Sequence, residues 1–276
     1  MKLSLSVRVA ESSKNKRVAS LELGEITRIA RKAGYHALCM RASVVGVQSS
    51  GEEVEGGRKE MERSGLAVSM VTGDFAVPEN GPEGPGCLRQ IAPHLDLAGA
   101  LGCDLIRICM KDEQDIAAAQ RASDEAKERG IRLAHQSHVC SLFETMEGSL
   151  DVLKRVGRSN FGLIYEPANL ALCGQDYGPE TLKAFEPFLF NVYVKNHVPD
   201  PEGTGFTDTW VSGRIPSSTF PLHAPEGIDF GAVFEGLGAV GYTGYVTMHQ
   251  AFGGVSDPAT AAVETGEFLV RMIQKV

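Results

Sequence analysis

Residues 131–138, Ile-Arg-Leu-Ala-His-Gln-Ser-His, begin as an alternating β-strand and end in polar groups. Successive side chains of a strand point to opposite faces. The alternation predicts Ala134, Gln136 and His138 on one face, and Leu133 and His135 on the other. Imidazoles and an amide at the carboxyl end of a buried strand are typical of an active-site strand in an α/β protein. The alternative is that His135 and His138 are ordinary hydrogen-bonded loop residues.

A helix, a glycine and a short β-rich run follow one another repeatedly along the chain. The glycines at the helix ends are Gly34, Gly65, Gly102, Gly130 and Gly241. Glycine at this position adopts the left-handed conformation that turns the chain back into a strand. The predicted strands are Leu3–Val7, Tyr35–Met40, Leu66–Val71, Cys103–Cys109, Ile131–Gln136, Phe161–Tyr165, Phe190–Val194 and Gly244–Met248. The predicted helices are Leu21–Ala33, Glu52–Arg63, Gly86–Leu101, Glu113–Arg129, Glu144–Val156, Pro179–Phe185, Phe230–Val240 and Pro258–Gln274.

Eight strand–helix units in a chain of 276 residues predict an α/β protein with a (β/α)₈ TIM barrel. We expect one domain over residues 1–276, because no linker separates two parts of the sequence. An open, doubly wound sheet is the main alternative, but eight regularly spaced units fit it less well. The first strand is followed by no G-x-G-x-x-G motif, and the sequence contains no Walker-type phosphate loop.

Three predicted loops are longer than usual, and each follows a strand, at Val44–Gly57, Thr72–Pro85 and Val198–Gly227. In a barrel these loops would surround the catalytic face. The third contains the only tryptophan, Trp210, and also Arg214. It is interpreted either as a lid over a small polar substrate or as a contact in a homo-oligomer.

Charge and composition argue against some classes of binding partner. The net charge is −8 and no Lys/Arg-rich run occurs, which argues against nucleic acid as a partner. Six scattered cysteines without a C-x-x-C pair indicate a reducing compartment. The N-terminal segment is too short and too charged for a signal peptide, and no apolar run reaches about 18 residues. We therefore expect a cytoplasmic protein without a membrane partner.

Polar side chains stand at the predicted carboxyl ends of four consecutive strands: Gln136 and His138, then Glu166, then Lys195, then His249. These ends converge at one mouth of a barrel. A carboxylate, one or two imidazoles and an amide oxygen could together bind one divalent metal ion, namely Mn²⁺, Mg²⁺, Co²⁺ or Zn²⁺. The alternative is structural, with Glu166 and Lys195 forming an ion pair.

At these positions the chain resembles the xylose-isomerase-like barrels, the superfamily of sugar-phosphate isomerases and epimerases. The resemblance extends over nearly the whole chain and includes Glu226–Phe230 and Gly241–Gly244. That family typically has Glu and then His at strand five, Asp-Pro-x-His at strand six, His-x-Lys-Asp at strand seven and Glu at strand eight. In that family, the residues at these positions usually bind one divalent metal ion. The glutamates of strands five and eight exchange protons with the carbon beside the carbonyl.

The sequence departs from each of these motifs. Gln136 replaces the glutamate of strand five, and His249 replaces that of strand eight. Glu166-Pro-Ala-Asn169 replaces Asp-Pro-x-His, and Tyr193-Val-Lys195-Asn196 replaces His-x-Lys-Asp. The resemblance implies that the metal ligands are Gln136, Glu166 and His249. The two-glutamate proton exchange cannot operate here.

The polar side chains at the strand ends can still be given catalytic and substrate-binding roles. His138 is predicted to be the general base, because a neutral imidazole can accept a proton near pH 7. Lys195 is predicted to neutralise an oxyanion or to bind an anionic substrate, and His249 is the third catalytic candidate. Predicted substrate-binding residues are Asn169, Tyr193, His197, Trp210 and Arg214.

The predicted function is removal of a proton beside the carbonyl of a sugar or keto-sugar by a metal-dependent isomerase or epimerase. A lyase or dehydratase acting on a keto-sugar or a 3-keto-glycoside through the same enediolate is the first alternative. A non-catalytic sugar-binding barrel is the second. An endonuclease-IV-like nuclease is the third, and it is disfavoured because strands two to four do not end in histidine.

Overall fold

Strands of the chain form one parallel sheet and one small antiparallel sheet. The computed structural model describes residues 1–11, 17–73, 84–250 and 257–276. In chain order the strands are β1 (Lys2–Ser6), β2 (Ala37–Met40), β3 (Ala67–Thr72), β4 (Leu105–Ile108), β5 (Arg132–Gln136), β6 (Phe161–Tyr165), β7 (Leu189–Val194), β8 (His197–Pro199), β9 (Gly205–Thr209), β10 (Gly213–Thr219) and β11 (Tyr245–Met248).

Helices alternate with these strands. In chain order they are α1 (Leu23–Lys32), α2 (Gly51–Ser64), α3 (Gly86–Arg89), α4 (Ala92–Ala100), α5 (Gln114–Glu128), α6 (Met146–Val156), α7 (Pro167–Leu172), α8 (Pro179–Phe185), α9 (Phe230–Ala239) and α10 (Pro258–Ile273). Two short 3₁₀ segments, Val7–Ala10 and Glu186–Phe188, follow β1 and α8.

The parallel strands close into a barrel in the order β1-β11-β7-β6-β5-β4-β3-β2. Closure is complete because β1 pairs with β2 on one side and with β11 on the other. The sheet therefore has no edge strand, which excludes the open doubly wound alternative and confirms the predicted (β/α)₈ barrel. The five glycines predicted to end helices have φ between 64° and 79°, as a left-handed helix end requires.

Side chains of each barrel strand alternate between the barrel interior and the layer beneath the helices. The interior holds a small apolar cluster: Cys39, Met70, Leu105, Ala134, Ile164 and Tyr193. Leu133 belongs instead to the main core between barrel and helices, so the predicted opposite faces of Ala134 and Leu133 are confirmed. Because the alternation continues past the cluster, residues two positions beyond Cys39, Leu105, Ala134 and Tyr193 follow the same interior face toward the mouth.

The predicted helix Gly86–Leu101 is wrong as a single element. The chain forms α3 and α4 instead, separated at Gln90, where φ is −136° and ψ is 66°. Pro93 lies in the first turn of α4. Proline has no N–H and is tolerated only at the start of a helix, so a new helix begins there.

The predicted start of α6 at Glu144 is also wrong. The helix begins at Met146, and the Thr145 hydroxyl caps it by accepting a hydrogen bond from the Gly148 N–H at 3.0 Å. The carboxylate of Glu144 is buried and accepts from the N–H groups of Trp210 at 2.8 Å and Val211 at 2.9 Å. Glu144 thus ties the turn between β9 and β10 to the barrel.

The predicted loop Val198–Gly227 contains regular structure. Strands β8, β9 and β10 form an antiparallel sheet in the order β8-β10-β9. The other long segments also differ in part from expectation. Helix α2 begins at Gly51, within the predicted loop Val44–Gly57, where Ser50 and Glu53 form a capping box. Residues 74–83 of the predicted loop Thr72–Pro85 lie outside the described residues.

Among the helices in the described ranges, none is both long enough and apolar enough to cross a membrane.

The small sheet generates a prediction about pH and stability. The imidazole of His197 links β8 to its neighbours: Nδ1 lies 2.6 Å from Thr219 Oγ1, and Nε2 lies 3.0 Å from Thr207 Oγ1. Burial, together with the positive charges of Lys195 and Arg8, lowers the pKa of His197 from its ordinary value of 6.5 to about 4. The unfolded chain therefore binds more protons below pH 6.5, and the stability contributed by neutral His197 is lost as the pH falls toward 4.

We expect His197→Gln to lose less stability than the wild type between pH 7 and pH 5. The difference should be about 1–2 kcal/mol in the free energy of unfolding. Urea denaturation of both proteins at the two pH values measures it. Identical pH dependence in the two proteins would show that His197 is not held neutral by the fold.

Candidate active site at the barrel mouth

The carboxylate of Glu166 lies at the carboxyl end of β6 and has no solvent-accessible surface. Pro167 begins α7 directly after it, so the strand stops and Glu166 is held between the strand and the helix. Lys195 Nζ lies 2.8 Å from Glu166 Oε1, and the side-chain amide of Gln136 donates to Oε2. Lys195 Nζ also donates to Asn169 Oδ1 at 2.9 Å. The structure thus brings together Gln136, Glu166, Asn169 and Lys195, all of which were predicted site residues.

His138 follows β5 and is joined to this network through its neighbour Ser137. The Asn169 amide donates to the Ser137 carbonyl at 2.7 Å while its oxygen accepts from Lys195. His138 Nδ1 lies 2.8 Å from the Val139 carbonyl oxygen. A carbonyl can only accept, so Nδ1 carries the proton and Nε2 carries the lone pair. Burial lowers the pKa of His138 well below its ordinary value, and the charges of Arg107 and Lys195 lower it further.

His249 is buried at the end of β11. Its ring stacks on Tyr193, with centroids 3.9 Å apart and planes 10° apart. Nε2 lies 3.2 Å from Arg8 Nη1, and Nδ1 lies 3.2 Å from Ser6 Oγ. A guanidinium only donates, so Nε2 accepts and Nδ1 is the protonated nitrogen. Burial is the main cause that lowers the pKa of His249 well below its ordinary value, and the positive charges of Arg8 and Arg41 also lower it.

Three arginines that were not selected from the sequence also lie at this mouth. Arg41 and Arg107 are buried and stand two residues beyond Cys39 and Leu105, which line the barrel interior. Arg8 lies in the 3₁₀ segment after β1 and reaches His249. Applying the strand alternation to β1, β2 and β4, and not only to β5 onward, would have found them.

Among the residues that the structure describes, positive side chains outnumber negative ones at the mouth. The charges that act most strongly on His249 come from Arg8, Arg41, Arg107 and Lys195, and all four are positive. In the described part of the chain, the carboxylates that lie against them are Glu166, paired with Lys195, and Glu11, whose Oε1 accepts from Arg41 Nε at 2.6 Å. This local excess occurs in a chain whose net charge is −8.

The remaining predicted substrate-binding residues lie away from the Glu166 network. Tyr193 is buried inside the barrel, with its hydroxyl 3.3 Å from Cys39 Sγ, and it supports His249 from below. Both ring nitrogens of His197 contact threonines of the small sheet. Arg214 lies over the Phe206 ring at 4.9 Å, and Trp210 is 55% exposed. Binding of substrate by His197, Trp210 or Arg214 stays a prediction.

The sequence matches the Xylose isomerase-like TIM barrel family over residues 27–272. The chain belongs to this family. No curated protein sequence matches it.

Solved structures share the fold at low sequence identity. The chain is 14% identical to the probable 3-DHS dehydratase AsbF of Bacillus anthracis, covering 98% of this chain and 99% of that one, with a TM-score of 0.73. A Xylose isomerase-like TIM barrel protein from Mycobacterium smegmatis, in complex with magnesium, is 16% identical over 99% of this chain and 97% of that one, with a TM-score of 0.70. D-allulose 3-epimerase from Methylomonas sp. is 15% identical over 99% of this chain and 98% of that one, with a TM-score of 0.68. At such identities the likeness shows the fold alone.

The predicted metal ligands do not fit a divalent cation in this arrangement. Glu166 Oε1 forms an ion pair with Lys195, Glu166 Oε2 accepts a hydrogen bond from Gln136, and the lone pair of His249 faces Arg8. Within the described ranges, no group of three or more His, Cys, Asp and Glu side chains could hold a metal ion. A divalent cation needs carboxylate charge to offset its dehydration, and here Glu166 is already paired with Lys195.

The Glu166–Lys195 pair generates a prediction about stability. Lys195→Met should lower the free energy of unfolding by about 3 kcal/mol, because it leaves a fully buried carboxylate without its counter-charge. Glu166→Gln should cost less, since the partly exposed Lys195 can turn to water. The double variant Lys195→Met/Glu166→Gln should be more stable than Lys195→Met alone.

A double-mutant cycle measured by urea denaturation tests this coupling. Simple additivity of the two single changes would show that the pair contributes nothing as a pair.

Proposed function

We propose that this protein is an isomerase or epimerase that moves a proton on the carbon beside the carbonyl of a small sugar-derived substrate. The observation that carries the proposal is the arrangement at the mouth. A neutral imidazole, His138, and an ammonium group, Lys195, lie on neighbouring parts of one hydrogen-bonded network. Enolisation requires a base for the proton and a cation for the developing oxyanion.

In the proposed reaction His138 Nε2 takes the proton from the carbon beside the carbonyl. The C–H bonding electrons form a carbon–carbon double bond, and the carbonyl electrons move to oxygen as an enediolate. Lys195 stabilises this oxyanion, because Glu166 and Asn169 hold its ammonium group in place. Protonation of the same carbon on its opposite face by a water molecule, while His138 releases its proton to solvent, gives an epimer. Return of the proton to the neighbouring carbon, with transfer of the hydroxyl proton, gives an isomer.

Family membership and the names of the structural neighbours support a carbohydrate substrate. The D-allulose 3-epimerase and the probable dehydratase share the barrel. The same enediolate could lose a group from the next carbon, which would make the protein a lyase. We favour proton return because it needs no leaving group on the next carbon and uses only the base and the cation of the Glu166 network. A cytoplasmic location and assembly into a homo-oligomer stay predictions.

The test is solvent-proton exchange. Aldo-sugars, keto-sugars and 3-keto-glycosides, incubated with the protein in D₂O, should show deuterium at the carbon beside the carbonyl by NMR. His138→Gln keeps a polar side chain of similar size but removes the base. It should slow exchange by about 10²–10⁴-fold. His36→Gln is the matched control, because His36 lies exposed before β2 at the opposite end of the barrel.

Full exchange in His138→Gln would show that His138 is not the base. Elimination products without exchange into recovered substrate would identify a lyase. Binding of a sugar with neither exchange nor turnover across the panel would favour the sugar-binding barrel.

A further inference from the structure

One buried carboxylate, that of Glu144, joins two distant segments of the chain. It accepts hydrogen bonds from the backbone N–H groups of Trp210 at 2.8 Å and Val211 at 2.9 Å. It also accepts from the backbone N–H of Cys140, two residues after His138. Hydrogen bonds to a carboxylate are stronger than those between neutral groups. Glu144 therefore holds the turn between β9 and β10 against the loop that carries His138.

Residues 197–219, which include β8, β9 and β10, form an arm that leaves the barrel after β7. The root of the arm lies directly after Lys195, where the Asn196 backbone N–H donates to Gln250 Oε1 at 2.8 Å. Strand β8 packs against α7, and the tip of the arm is the turn at Trp210. The arm thus runs from the cation of the proposed reaction to the loop of its base.

The loop after β5 contains a backbone conformation that its contacts must maintain. Cys140 has a φ of 52°, which residues with a side chain rarely adopt. Its N–H donates to Glu144, and its carbonyl accepts from Lys111 Nζ. The His138 N–H donates to the Phe143 carbonyl at 3.2 Å and closes the same loop. Because such a conformation persists only where surrounding contacts fix it, the backbone beside His138 depends on Glu144.

Polar contacts dock the tip of the arm on this loop. Trp210 is 55% exposed and Val211 is 49% exposed, although their N–H groups bind the buried Glu144. The Cys140 thiol donates to the Asp208 carbonyl at 3.2 Å. The side chains at the tip therefore bury little apolar surface, and loss of the Glu144 carboxylate would not be offset by apolar contacts.

We propose that Glu144 is a positioning residue: by docking the tip of the arm, it sets the placement of His138 relative to Lys195. This role rests on the proposed function, in which His138 is the base and Lys195 the cation. Misplacement of a catalytic group by about 1 Å can cost about 10²-fold in rate. The docking itself is measurable without turnover, so the two proposals can fail separately.

Two variants release the tip from opposite sides. Glu144→Gln keeps the shape of the side chain but places an amide donor against backbone N–H groups. Thr209→Val leaves Glu144 intact and removes the hydroxyl that accepts from the Ser212 N–H at 2.9 Å and donates to the Gly213 carbonyl at 3.1 Å in the tip turn. Glu147→Gln is the matched control, since it removes the same charge from an exposed position on α6. All are compared below the onset of their thermal transitions.

Two spectroscopic signals follow the tip and the base. Trp210 is the only tryptophan, so the decay of fluorescence anisotropy reports the tip alone. Glu144→Gln and Thr209→Val should each add a nanosecond component, and Glu147→Gln should not. In ¹H–¹³C spectra of protein labelled with ¹³C-histidine, the signal of His138, identified by its absence from His138→Gln, should shift in the same two variants. A mobile tip with an unchanged His138 signal, or no change in either signal, would overturn the proposal.

Exchange kinetics test the consequence for catalysis. For a sugar that the wild type exchanges, kcat should fall by about tenfold or more in Glu144→Gln, because the base is displaced. KM should stay within about threefold, because Glu144 is not proposed to touch the substrate. A merely stabilising role would leave kcat unchanged in the folded variant, and that result would overturn the positioning role. Absence of exchange in the wild type would remove the proposed function, whereas joint changes at Trp210 and His138 would still support docking by Glu144.

Discussion

The ion pair between Glu166 and Lys195 sets the arrangement of the barrel mouth. A carboxylate without solvent access must be paired, because burying an isolated charge is far more costly than forming a buried pair. The pair recruits Gln136 and Asn169, and Asn169 in turn binds the backbone beside His138. One electrostatic requirement thus fixes side chains from β5, from α7 and from the end of β7.

Replacement of the family's acidic residues changes the charge of the same mouth. Where that family has glutamates at strands five and eight, this chain has Gln136 and His249. Each replacement removes a negative charge that would attract a metal ion. Lys195 then has Glu166 as its counter-ion, and Arg8 bonds to the neutral imidazole of His249.

Much of the fold follows from local pattern. The period-two alternation and the glycines at five helix ends predict the eight parallel strands, and these five glycines are left-handed in the structure. The sequence pattern predicted wrong helix bounds at two places. The apolar residues of Gly86–Leu101 predicted one continuous helix, but a new helix begins with Pro93 in its first turn. Glu144 resembled a helix start, but its carboxylate accepts hydrogen bonds from backbone groups 66 and 67 residues away in the chain.

The sequence by itself determined which side chains stand at the carboxyl ends of the strands, because strand alternation is a local property. Gln136, Glu166, Lys195 and His249 were found in this way. Only the tertiary structure decided which other side chains they contact. Arg8 meets His249 across 241 positions of sequence, because closure of the barrel places β1 beside β11. These side-chain contacts depend on distance and charge in the closed barrel, and no local pattern of residues predicts them.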